Sequence, residues 1–155
     1  MRNVKRWWMA LVCQWAVLSA LAGGGRLYTA DQLSSSMIDF ITQDAYGYIW
    51  VGTQYGLNKF DGYRFTHFFT DRNDSTTLPD NDVSRIFIDS SHRLWTGGAK
   101  GLGRYDYERN CFVRYAFPGG ITPRIECLYE DSDGNILIGR RRICDVHSEE
   151  QADNG

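Results

Sequence analysis

The sequence predicts an all-β chain, an incomplete β-propeller of four-stranded antiparallel blades with two full blades and a partial third. Three observations predict it. Residues 49–62 read Ile-Trp-Val-Gly-Thr-Gln-Tyr-Gly-Leu-Asn-Lys-Phe-Asp-Gly, and 45 residues later residues 94–106 repeat Trp, Gly, Gly, Leu and Asp in the same slots. The two copies align without a gap: residues 33–61 and 78–106 share eight identities, Leu33 with Leu78, Ile41 with Ile86, Asp44 with Asp89, Trp50 with Trp95, Gly52 with Gly97, Gly56 with Gly101, Leu57 with Leu102 and Asp61 with Asp106. Each copy also breaks into four short runs of strand-forming residues separated by turn residues. A period in the forties with a recurring Trp-x-Gly is the pattern of blades that bury their faces only against one another.

In the first unit residues 37–43 form an apolar strand, Asp44, Ala45, Tyr46 and Gly47 a turn, and residues 48–53 a second strand. Gln54, Tyr55 and Gly56 turn the chain into residues 57–60. Asp61 and Gly62 then form a two-residue hairpin signal before residues 63–69, because Gly takes the positive φ such turns require. Asp44 and Asp89 open their turns by accepting bonds from nearby N–H groups. Gly52 and Gly97 inside strands indicate a bulge or a close backbone approach. Continuous runs such as Ile49, Trp50, Val51 and Ile86, Phe87, Ile88 indicate strands covered on both faces. A third unit starts at Ile125, Leu128, Asp131, Ile136 and Gly139, each 42 residues after its counterpart in the second.

The expected organisation is a signal peptide over residues 1–22, a leader over 23–32, blades over 33–77 and 78–120, a partial blade over 121–139 and a divergent, disordered tail over 140–155. Arg2, Lys5 and Arg6 precede a 16-residue mostly apolar run, and Ala20, Leu21 and Ala22 supply a small-x-small cleavage pattern. The run is shorter than the roughly 20 apolar residues of a membrane span. Cleavage after Ala22 leaves a formal charge of −5, an exported and mildly acidic protein without a membrane span. A whole-chain charge of −2 also argues against generic attraction to nucleic acid or anionic membrane.

The chemical motifs dissolve into the repeat. Residues 97–103 are glycine-rich, but the spacing lacks the Gly-Lys-Ser/Thr of a phosphate loop and runs into a strand rather than a helix. Residues 131–134 resemble the start of a calcium loop yet lack its later carboxylates, and they align with turns. His67, His92 and His147 occupy unrelated slots. Cys111, Cys127 and Cys144 have no zinc spacing; one disulfide plus a spare thiol is compatible with export, but Cys111 and Cys127 read rather as small apolar fillers in strands. No catalytic set, metal or cofactor is indicated. Asp44, Trp50, Gly52, Gly56, Leu57, Asp61 and their copies Asp89, Trp95, Gly97, Gly101, Leu102 and Asp106 serve the blade. Ligand contacts are better sought among polar or aromatic turn residues outside the repeat: Tyr55, Arg64 and Lys100.

Residues 43–62 and 89–106 resemble the two-component regulator propeller repeat, roughly Asp-x-x-Gly-x-hydrophobic-Trp-hydrophobic-Gly-Thr-x-x-Gly-Leu-x-x-aromatic-Asp-Gly. The first unit matches almost throughout. The second departs at His92, Gly98 and Tyr107, and the third has Leu137 for Trp and loses the pattern after Gly139. The resemblance covers residues 33–139 and implies the periplasmic sensing region of a hybrid two-component histidine kinase, many of which respond to oligosaccharides. It implies a non-catalytic fragment of such a sensor, periplasmic or secreted, whose partners are an oligosaccharide and either the remaining blades of a longer chain or a second copy. The loss of pattern at Arg140 reads as truncation of a longer frame. Two further classes stay open, a secreted binding or adhesion module and a piece of a carbohydrate-active enzyme on a propeller scaffold.

Overall fold

The computed structural model describes residues 30–140 and 143–147. The expected signal peptide, most of the leader and residues 148–155 lie outside them. A turn of 3-10 helix at Ala30–Gln32 precedes three sheets. Blade 1 has strands β1 (Ile38–Gln43), β2 (Ile49–Thr53), β3 (Gly56–Phe60) and β4 (Phe65–Phe68), each hydrogen-bonded antiparallel to the next. Blade 2 repeats this with β5 (Arg85–Ile88), β6 (Leu94–Gly98), β7 (Gly101–Asp106) and β8 (Cys111–Tyr115). The third sheet holds β9 (Ile125–Glu130), β10 (Ile136–Arg140) and β11 (Ile143–His147) in the order β11-β10-β9. The tail expected from Arg140 onward is thus corrected over Ile143–His147, which forms a strand. Backbone pairing with β10 needs strand-compatible residues, not the missing Gly-Leu signature, and Ile143 and Val146 are strand formers.

The cores lie between sheets. Trp50 and Leu57 of blade 1 pack against Val83, Ile86, Leu94, Tyr105 and Phe112 of blade 2, with Leu78 from the connecting loop. On the other side of blade 2, Trp95 and Leu102 pack against Ile125, Ile136 and Ile138. Adjacent residues Leu94 and Trp95 serve different cores because successive side chains leave opposite faces of a strand.

The glycine expectation resolves in favour of close approach. A Cβ at Gly52 would lie 2.5 Å from Val83 O and 3.2 Å from Ile86 Cδ1, and one at Gly97 would lie 2.7 Å from Ile125 Cγ2. A bulge accompanies Gly52, where the register of its partner strand β1 shifts around Asp39, and another lies beside Gly139, where β9 shifts around Glu126 at the same repeat position, while β5 pairs with the Gly97 strand without a shift. The β1 bulge turns Ile38 and Ile41, three residues apart, to one side of blade 1.

Two expectations are corrected. The turn after β3 centres on Gly62 and Tyr63, one residue further on than the Asp-Gly signal, because Asp61 N donates to Arg64 O while its carboxylate accepts the N–H groups of Tyr63 and Arg64. Strand β1, which lacks a continuous apolar run, is exposed along most of its length, whereas β2 and β5, which carry the runs, are buried or half-buried throughout. Cys127 is exposed although it lies in a strand, whereas Cys111 is half-buried.

Candidate functional site

Two places carry polar chemistry. The first is the end of the sheets where β2 turns into β3 and β6 into β7, together with the long connections between sheets. Tyr55 and Lys100 occupy the same position in these two turns, so the fold brings them to one end. Arg64 sits in the β3–β4 turn at the opposite end, paired with Asp61 at 3.5 Å on the surface. The three expected contacts therefore do not form one site.

Tyr55 is 58% exposed, its ring 5.7 Å from that of Phe69. Lys100 borders a cavity of about 180 Å³ lined by Pro79, Leu102, Arg114, Tyr115 and Thr122. Its Nζ lies 3.5 Å from Asp80 Oδ1. The Arg114 guanidinium is committed to the connecting loop, donating to Thr77 O and Oγ1, Asp71 O and Leu78 O at 2.6–2.9 Å. It holds the cavity wall, which leaves Lys100 as the movable cation at the rim. Asp80, Arg114, Tyr115 and Thr122 were not legible as site residues: Asp80 and Thr122 come from connections between strands, and Arg114 and Tyr115 from β8, past the span over which the two copies align.

The second place is the buried seam between blades 1 and 2. Asp44 accepts from the Trp50 indole at 2.7 Å, from the Tyr107 hydroxyl at 2.8 Å and from the N–H groups of Tyr46 and Tyr48. Lys59 Nζ stands 3.9 Å from the Tyr48 ring centre, with Trp50, Tyr105 and Tyr107 within 6 Å, and donates to Tyr105 Oη at 3.4 Å. Burial lowers the Lys59 pKa, and the charges of Asp44 and Asp61 oppose that shift. Burial first, then the bond to Asp44, pushes the Tyr107 phenol up, and burial takes Tyr105 to about 12. Neutral tyrosines beside a cation held by ring faces make this seam a structural joint.

Asp89 repeats the bond to the indole within blade 2, binding Trp95 Nε1 at 2.7 Å and Arg93 Nε at 2.6 Å. Burial pushes its carboxyl up, but the bonds from Trp95 and Arg93 outweigh burial and hold it below the usual carboxylate range. A folded-state pKa below the unfolded value contributes stability above the unfolded pKa that is lost as pH falls through the folded one. Stability measured by denaturant titration should therefore fall below about pH 4, and Asp89→Asn should flatten that slope. Asp131 holds the same slot in the third sheet, where Leu137 replaces Trp, and its carboxylate bonds to Asn135 and local N–H groups instead.

Among the described residues no three His, Cys, Asp or Glu side chains converge as a metal site. No helix among them is long and apolar enough to cross a membrane.

Residues 32–55 match the two component regulator propeller family. A histidine kinase of Formosa agariphila is 48% identical over 48 residues, which span 31% of this chain and 4% of that protein. The extracellular domain assigned to a hybrid two component system of B. thetaiotaomicron superposes with a TM-score of 0.69 at 19% identity, over 84% of this chain and 19% of that one. Virginiamycin B lyase of Staphylococcus aureus superposes at 0.56 and 16% identity, over 74% of this chain and 39% of that one. The chain thus spans a small part of the length of these relatives, and the structural likenesses bear on fold alone. Residues 32–55 thus match one repeat of that family, and the gapless second copy and the four-stranded blades give the chain the fold of propeller blades.

Proposed function

We propose that the chain is part of the exported ligand-sensing propeller of a hybrid two-component sensor, non-catalytic in itself, and that it recognises oligosaccharides. The observation that carries the reading is the 48% identity to a histidine kinase over 48 residues, together with the family match over residues 32–55. An exposed tyrosine and a lysine-rimmed cavity at one end of the sheets suit a sugar, whose ring stacks on aromatics and whose hydroxyls or carboxylates take bonds from ammonium groups. The likeness to a lyase favours no enzyme reading, because it bears on the scaffold rather than on placed catalytic groups.

Thermal unfolding of the full chain across a panel of neutral and uronate-containing oligosaccharides tests the proposal. At least one is expected to raise Tm by several degrees with no product formed, and Lys100→Ala is expected to weaken that ligand about tenfold at an unchanged ligand-free Tm. Absence of any shift, or cleavage of an oligosaccharide, overturns it.

A further inference from the structure

The connection between blades 1 and 2 carries a motif that neither the repeat nor the sensor reading uses. It runs over residues 69–84, from the end of β4 to the start of β5, while its counterpart from β8 to β9 covers only residues 116–124. The longer connection holds the run from Thr70 to Thr77, polar throughout, and within it Asn73-Asp74-Ser75, the one Asn-x-Ser/Thr triplet in the 155 residues. That triplet, with any residue but proline in the middle, is the acceptor pattern of asparagine-linked glycans.

Such triplets also arise by chance, and the way the fold presents this one distinguishes it. Residues 71–76 are exposed without interruption. Asn73 lies in a narrow turn closed by a bridge between Asp71 and Asp74, its N–H held by the Asp71 carboxylate at 2.8 Å. Asp74 Oδ1 accepts from Thr76 N at 2.8 Å and from its hydroxyl at 2.6 Å, and the Thr77 hydroxyl donates to Asp74 O at 2.9 Å. These bonds engage the backbone and both threonines, while the Asn73 carboxamide and the Ser75 hydroxyl have no partner among the described residues. The turn is moored to β8, the edge strand of blade 2: Phe112 N donates to Thr76 O at 2.7 Å, and Arg114 Nη2 donates to Asp71 O at 2.9 Å. Blade 2 has a sheet against each face, so this edge looks outward.

We propose that Asn73 is the acceptor of an N-linked glycan, transferred by a membrane oligosaccharyltransferase from a polyprenyl-pyrophosphate-linked oligosaccharide. In the transfer Asn73 Nδ2 forms a bond to C1 of the first sugar and the C1–O bond to the pyrophosphate breaks. The pyrophosphate leaves with the electron pair, and the amide proton passes to a base of the transferase. An amide nitrogen is a weak nucleophile because resonance draws its lone pair into the carbonyl. The transferase must therefore surround the carboxamide, which an exposed turn with an unengaged side chain permits. Ser75 supplies the hydroxyl two residues on that completes the acceptor pattern. Modification rests on the export that the sensor reading includes and is independent of what the propeller senses.

Peptide mapping by mass spectrometry of the full protein, recovered from the cells that make it, tests the assignment. A glycan is expected on Asn73. It should be lost in Asn73→Gln and in Ser75→Ala, and kept in Ser75→Thr, which retains the hydroxyl. All three variants change exposed side chains, so their circular dichroism should match that of the wild type. The same maps report the N-terminus. Bare Asn73 in a chain that has lost residues 1–22 overturns the acceptor assignment and leaves export standing. Bare Asn73 in a chain that keeps Met1 overturns the acceptor assignment and export together. A glycan that persists in Asn73→Gln, carried on the hydroxyl of Ser75 or Thr76, overturns the assignment as well.

Discussion

Replacing Asp44 with alanine is expected to lower the stability of the folded chain by about 3–5 kcal/mol, measured by urea unfolding. The carboxylate is buried and accepts four hydrogen bonds, from the Trp50 indole, the Tyr107 hydroxyl and two backbone N–H groups. A buried donor left without a partner costs roughly 1–3 kcal/mol, and alanine orphans the indole and the phenol together. Because Tyr107 belongs to blade 2, the loss also loosens the seam between blades. Asp131→Ala is the internal control. Its carboxylate receives no indole and its bonds are local to one turn, so its replacement should move the urea midpoint far less. Equal effects at the two positions would show that the turn, not the joint between blades, is what the repeated aspartate serves.

Gly98→Ala is expected to be nearly as damaging, about 3 kcal/mol, at the upper end for overpacking a filled interior. A Cβ there would fall inside contact distance of Asp82 O, a backbone atom of the connection between blades. Backbone cannot rotate aside as a side chain does, so β6 or the connection must move. Gly101→Ala is the contrast: nothing lies within 4 Å of a Cβ there, but φ is +100°, so its smaller penalty of about 1–2 kcal/mol would come from conformation alone. Thermal unfolding of both variants separates crowding from backbone strain.

Much of the architecture was legible because a blade repeats its own solution. Trp50 and Trp95, Gly52 and Gly97, Asp44 and Asp89 recur at one spacing, and each pair meets the same neighbour: the indole meets the carboxylate, the glycine meets the next leading strand. The candidate site was far less legible. Tyr55 and Lys100 share a turn position and could be placed together, but Arg64 needed the strand directions before it fell at the other end. The cavity beside Lys100 is walled by Pro79, Arg114, Tyr115 and Thr122, which come from three separate stretches of chain and follow no period.

The sequence by itself determined the blades. Alternating turns and strand formers, the Trp-x-Gly spacing and the gapless second copy are local or periodic, and local pairing follows from them. Only the tertiary structure decided which of two equivalent residues is buried. Ile41 and Ile86 are the same residue in the same slot, yet one is 60% exposed and the other 4%. Among the described residues a sheet stands against the Ile86 face and none against the Ile41 face, and burial is a property of the neighbour as much as of the residue. For the same reason Ile143–His147 became a strand without its signature: β10 stood beside it with an edge to pair.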